Sequence, residues 1–241
     1  MKRDGSAPCH LTGYGSYGIS YDPGFNRDKI SLLDRGFVVG IAHIRGGMEM
    51  GYRWYEKGKL KNKMNTFTDF IDCAEYLVRE HYTSSDRLFV EGRSAGGLLM
   101  GAVANLRPDL FKGIVSGVPF VDVLTTMSDP DIPLTTGEYT EWGNPAVRED
   151  YEYMKTYSPY DNLKAQEYPN MLVLTSFADS QVQYFEPAKY VARLRDLKTD
   201  GNLLLFKTNM SGSHGGSSGR FSRLKERALE YAWMLGLLGV R

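Results

Sequence analysis

The chain has 241 residues, enough for one domain with a sizeable core, and its 29 basic residues balance 29 acidic ones to a formal charge of zero. That balance lacks the basic excess of a nucleic-acid binder and the acidic excess of a solvated disordered chain. A hydrophobic fraction of 42 %, an aromatic fraction of 12 % and 26 glycines describe a globular protein with many tight turns.

The opening MKRDGSAPCHLTGYGSYG carries charge but no apolar stretch of signal-peptide length, and no run further on reaches the roughly 18 apolar residues of a membrane span. Strands are predicted over 8–13 and 37–44, then a helix over 66–81 with Phe67, Phe70, Ile71, Ala74, Leu77 and Val78 at helical spacing. A strand over 87–91 leads through a glycine-rich turn into a helix over 96–105. Further strands follow over 113–118, 171–177 and 203–208, with helices over 185–197 and 221–238. Each strand is a short apolar run without strict alternation, the pattern of parallel strands covered on both faces. Alternation of strand and helix predicts one α/β domain over 1–241 with a mostly parallel sheet. Residues 122–163 break the alternation and are rich in Thr, Pro, Asp, Glu and Tyr. They read as an insertion over the end of the sheet where α/β proteins bind ligands. Of the two cysteines, Cys9 falls in the first strand and Cys73 in the first long helix. With neither a disulfide scaffold nor a Cys-x-x-Cys pair, a reduced cytoplasmic protein is expected.

The most informative segment is Gly92-Arg93-Ser94-Ala95-Gly96, a G-x-S-x-G pentapeptide placed between strand and helix. The bare pentapeptide also suits an ordinary βα turn; its strand–turn–helix context favours a nucleophile. There the serine hydroxyl projects above the sheet, and the N–H of Ala95 points from a helix start toward a developing oxyanion. A serine needs a base. Of the four histidines, only His214 lies after Ser94, in a Gly/Ser loop beyond the last strand. The chain order Ser, acid, His then places the acid between them. Asp179, just past the strand over 171–177, fits; Asp122 competes. His10 and His43 fall inside strands and read as core or supporting residues, and His81 ends a helix. Arg45-Gly46-Gly47 suits a structural loop at least as well as a functional one, and the lysine-rich run 57–63 reads as solvated surface. No His, Cys or carboxylate cluster has metal-ligand spacing, so no cofactor is expected.

Segments along nearly the whole chain make the resemblance specific: GYGSYG (13–18), LLDRGFVV (32–39), HIRGGMEMG (43–51), GRSAGGLLMG (92–101), VPFVDVLTTM (118–127), IPLTTGEY (132–139), EWGNP (141–145), YSPYDN (157–162), DSQVQYFEPAKYVARLR (179–195) and SHGGSSGRF (213–221). The sequence resembles the peptidase domain of the prolyl oligopeptidase family of serine peptidases, its oligopeptidase B branch above all. The resemblance implies an α/β-hydrolase fold with Ser94 as nucleophile, Asp179 as acid and His214 as base. It implies an oxyanion hole from the Tyr14 hydroxyl and the Ala95 N–H. Oligopeptidase B cleaves short peptides after Lys or Arg. Glu138 matches the first of two pocket glutamates; Thr140 stands at the second. Asp22 matches an acid used for the next substrate position, whose companion is replaced by Gly24, and Gln181 matches a residue near the scissile bond.

The family carries a β-propeller before this domain; here the chain starts almost at the GYGSYG strand, so the propeller and the first strands of the usual sheet are expected to be missing. That implies an open site for small esters or short peptides, and an exposed sheet edge near 37–44 suited to homo-oligomerisation. The alternative is a non-catalytic remnant that folds and binds without turnover. No nucleic-acid or membrane partner is expected.

Overall fold

The computed structural model describes residues 2–240. Six strands form one sheet: β1 (Cys9–Thr12), β2 (Val38–Ile41), β3 (Leu88–Arg93), β4 (Gly113–Gly117), β5 (Asn170–Ser176) and β6 (Leu204–Asn209). Their order is β2-β1-β3-β4-β5-β6, and every pairing is parallel. Cys9 faces Val38 on one side and Leu88 on the other, so β1 lies inside the sheet. After β2 the chain crosses back over β1 to add β3. The strand order therefore reverses between β1 and β3, and the loops leaving their carboxyl ends flank the crevice where open α/β sheets hold ligands.

The helices are α1 (Arg27–Leu33), α2 (Tyr52–Glu56), α3 (Met64–Arg79), α4 (Ala95–Leu106), α5 (Val123–Ser128), α6 (Thr135–Trp142), α7 (Arg148–Tyr157), α8 (Phe185–Leu197) and α9 (Arg220–Leu237). They make layers on both faces of the sheet, sorted by the period of two along each strand. Leu88 and Val90 pack with Phe67, Phe70, Leu98, Tyr190 and Leu194 from α3, α4 and α8. Phe89, between them, packs with Leu32 of α1 and Trp233 and Met234 of α9 on the other face. The central strands β3 and β4 are buried along both faces, as short apolar runs predict. At β6 the expectation fails. Leu203 and Leu205 are 48 % and 43 % exposed, because this edge strand is covered on one face only.

Helix α4 is buried from Ala95 to Asn105. Glycines let it settle against the sheet: a Cβ on Gly97 would stand 2.4 Å from Pro119, and one on Gly101 2.7 Å from Pro159. The predicted insertion is α5, α6 and α7, between β4 and β5. The cysteines lie in β1 and α3, and both are free. No helix among the described residues is long and apolar enough to cross a membrane.

Candidate active site

Ser94 links β3 to α4 with φ 58° and ψ −120°, a conformation that side-chain-bearing residues rarely adopt. The turn is held from all sides. Ser94 N–H donates to the Gly117 carbonyl (2.9 Å), and the Ser94 carbonyl accepts from the N–H groups of Gly97 (2.7 Å), Leu98 (3.1 Å) and Phe120 (3.2 Å). A Cβ on Gly92 would stand 2.1 Å from the Gly96 carbonyl oxygen, so that position requires glycine. Ala95 opens α4 and is buried. Its N–H is among the first four of the helix, which have no acceptor inside it and favour negative charge.

Tyr14 follows β1 and reaches the same crevice. Its ring stacks on Tyr21 at 5.7 Å. Burial and the neighbouring Tyr21 push its phenol up to about 12, and hydrogen bonding with the Ser94 hydroxyl opposes that shift. The loop behind Tyr14 is tightly packed: a Cβ on Gly46 would lie 2.0 Å from the Gly15 carbonyl oxygen. Arg45-Gly46-Gly47 is thus a structural support, fixed in turn by Arg45 Nε donating to Asp69 at 2.7 Å.

Asp179 lies just past β5 and His214 just past β6, at the same carboxyl end of the parallel sheet as Ser94. The His214 Nδ1 is 2.9 Å from Asp179 Oδ2 and 3.0 Å from Oδ1. The Asp179 side chain is fully buried and that of His214 is 18 % exposed. Burial works to raise the Asp179 carboxyl, but His214 and the N–H groups of Val182 and Gln181 hold it below its ordinary value. The His214 loop is pinned by Glu226 of α9, which accepts from the Ser217 N–H and hydroxyl and from Asn209 Nδ2. Asp122, the competing acid, is buried against Lys189 of α8 instead.

Ser94, Ala95, Tyr14, Glu138 and Gln181 line one cavity of about 230 Å³, walled by Phe120, Met127, Leu134 and Trp142. Glu138 Oε2 accepts from the Tyr17 hydroxyl (2.7 Å) and from Trp142 Nε1 (2.9 Å). Burial and then the charge of Glu138 push the Tyr17 phenol up, so it stays a donor. Asp22 lies elsewhere, on an exposed loop lining a separate cleft of about 970 Å³. Thr140 is exposed on α6. No group of three or more His, Cys, Asp or Glu able to hold a metal ion occurs among the described residues.

Two sequence expectations are corrected. Lys63 is 1 % exposed, not part of a solvated run: its ammonium turns inward to donate to the Gly15 carbonyl and the Ser16 hydroxyl. Of the two readings for His43, the core one fails: it is exposed, because the β2 edge has no neighbour on that side, and its Nε2 lies 2.9 Å from the carbonyl of Tyr21, whose ring stacks on Tyr14. Sequence reasoning also missed Tyr17 and Trp142 as the partners of Glu138. Both lie in segments that carry the family resemblance, yet nothing in their spacing reveals that they converge.

The prolyl oligopeptidase family model matches residues 23–241. The chain belongs to the prolyl oligopeptidase family. It is 61 % identical over 240 residues to dipeptidyl aminopeptidase BI of Pseudoxanthomonas mexicana, covering 100 % of this chain and 33 % of that protein. It is 57 % identical over 237 residues to protease 2 of Moraxella lacunata, covering 98 % and 34 %. Among solved members of the prolyl oligopeptidase family, oligopeptidase B from Leishmania major superposes with a TM-score of 0.97 at 52 % identity, over 99 % of this chain and 33 % of that one. Oligopeptidase B from Trypanosoma brucei with covalently bound antipain gives 0.96 at 51 %, over 98 % and 33 %. The fold is therefore that of the α/β hydrolases, and the chain spans about a third of the length of the curated relatives it matches.

Proposed function

We propose that this chain carries a serine hydrolase site that works through an acyl-enzyme, with short acyl esters or small peptides cut after Arg or Lys as substrates. Family membership supports a serine peptidase. The observation that carries the finer reading is the Asp179–His214 hydrogen bond, formed at the sheet end where Ser94 sits on its strained turn. In this reading Ser94 Oγ attacks the carbonyl carbon while His214 Nε2 takes the hydroxyl proton. Asp179 keeps Nδ1 protonated and stabilises the imidazolium. The Tyr14 hydroxyl and the Ala95 N–H receive the negative oxygen of the tetrahedral intermediate. His214 then passes its proton to the leaving amine or alcohol, and water releases the acyl group by the same steps in reverse order. In the T. brucei relative antipain is covalently bound; such an adduct needs a nucleophile, the role proposed here for Ser94.

Glu138 is the proposed anchor for a basic side chain. Its two hydrogen bonds fall on one oxygen, which leaves Oε1 for a guanidinium or ammonium in a partly desolvated cavity. Gln181, exposed at the cavity rim, is proposed to contact substrate beside Ser94. Asp22 is proposed for a more distant substrate position, consistent with its separate cleft. With Thr140 where the resemblance implies a second acid, selection for basic residues rests on one carboxylate, which favours small esters beside peptides. The free Cys9 and Cys73 fit a reducing, cytoplasmic compartment.

Hydrolysis of p-nitrophenyl butyrate and of a fluorogenic Arg-Arg amide, each compared with Ser94→Ala, tests this reading. Turnover of either substrate by the wild type alone supports it, and their ratio separates esterase from peptidase. A folded wild type that turns over neither substrate and takes no fluorophosphonate label leaves the binding-remnant reading in its place.

A further inference from the structure

Lys63 has the surroundings of a residue held for a reason beyond filling space. An ammonium sealed from solvent is costly unless every donor is matched, and an apolar side chain would fill the same volume without that cost. Its donors go to the Gly15 carbonyl at 2.6 Å and the Ser16 hydroxyl at 2.8 Å. Its charge lies 4.9 Å from the ring centre of Trp142. Gly15 and Ser16 directly follow Tyr14, and Trp142 walls the cavity and donates to Glu138.

The same loop is gripped from α6 by the buried Glu141, which accepts from the Tyr17 N–H at 3.0 Å and the Tyr55 hydroxyl at 2.7 Å. Lys63 and Glu141, from different parts of the fold, thus hold residues 15–17 between them. Lys63 is satisfied only when the loop keeps this shape, so loop conformation and ammonium burial are coupled. Among the described residues the Gly15 carbonyl has one other side-chain donor, the Thr66 hydroxyl at 3.4 Å, too long to replace Lys63.

We propose that Lys63 is a positioning residue for the Ser94 reaction: by clamping Gly15 and Ser16 it sets the Tyr14 hydroxyl over the oxyanion position and ties that loop to the Trp142 wall of the cavity. The assignment rests on the serine hydrolase reading above. It separates Lys63 from a generic stabilising residue, because its effect must run through Tyr14.

A double-mutant cycle tests this. Wild type, Tyr14→Phe, Lys63→Met and the double variant are compared on p-nitrophenyl butyrate, with kcat normalised to active sites counted by fluorophosphonate labelling. Tyr14→Phe is expected to lower kcat roughly 100-fold, as loss of one oxyanion donor does. Lys63→Met is expected to lower kcat about tenfold with KM within about twofold, and the double variant to fall within about threefold of Tyr14→Phe alone. Full multiplication of the two effects, a change confined to KM, or an unchanged kcat in Lys63→Met overturns the proposal. Should Lys63→Met fail to fold, Ser16→Ala carries the test in the same cycle, since it removes one acceptor and keeps the lysine. A wild type that neither labels nor turns over ester removes the hydrolase reading and the Lys63 assignment with it. That result is distinct from an active wild type matched by an equally active Lys63→Met.

Discussion

Ser94 holds its positive φ because Gly92 and Gly96, two positions to either side, carry no side chain to obstruct the fold of the turn. Gly92→Ala would drive a methyl group to 2.1 Å from the Gly96 carbonyl oxygen. The expected result is a destabilisation on the order of 3 kcal/mol, read as a lowered urea midpoint. On the proposed mechanism, Asp179→Asn should remain folded but present the wrong imidazole tautomer to Ser94; ester kcat should fall by roughly 10⁴. On the proposed role of Glu138, Glu138→Gln should raise KM for an Arg amide at least about tenfold while sparing p-nitrophenyl butyrate, which has no cation to pair with the carboxylate. At this scale the sequence was legible where chemistry forces a local motif. The pentapeptide, and the placement of Ser94, Asp179 and His214 at one end of the sheet, could be read because each follows a strand. Lys63 could not be read, because a lysine among lysines carries no sign of which ammonium turns inward.

Helices α5, α6 and α7 mark the limit of element prediction. Helix α5 spans six residues and α6 eight, too short for a 3.6-residue period to stand out. Their placement depends on distant contacts. One of them is Glu186, at the start of α8 and fully buried, which accepts from the N–H groups of Val121 and Asp122 and from the Thr126 hydroxyl. Burial pushes its carboxyl up to about 7, against the pull of those donors. The folded chain therefore keeps a proton there that the unfolded chain releases above its ordinary value near 4.5. Stability through this group is full at low pH and declines as pH rises from about 4.5 to about 7. Glu186→Gln should flatten that part of the melting-temperature profile; an unchanged slope would show that the group does not titrate there. The strands were legible as short apolar runs between turns, α3, α8 and α9 by their helical period, and α4 because it follows the Ser94 turn and is apolar throughout. The exposed side of β6 was not, since the sequence does not say which strand lies at the edge.

Across the whole molecule, β2 is one of the two outer strands of the sheet, and Phe25, Ile30, Leu33 and Ile41 line the cleft beside it. Phe25 is 89 % exposed. We propose that this margin drives concentration-dependent self-association, as uncovered edges do. Light scattering after size exclusion should show species larger than a monomer at high concentration, and Ile41→Lys should reduce them. The molecule also carries three tryptophans in three settings. Trp54 donates to the His43 carbonyl near the β2 edge, Trp233 packs on Phe89 behind the sheet, and Trp142 sits between Lys63 and Glu138. Indole fluorescence responds to nearby charge. With Trp54 and Trp233 replaced by phenylalanine, the emission of Trp142 becomes a built-in optical gauge of the cavity: it should shift when a basic side chain occupies the proposed Glu138 anchor, and again when the Lys63 ammonium, pushed down to about 7 by burial against the pull of Glu141, gives up its proton.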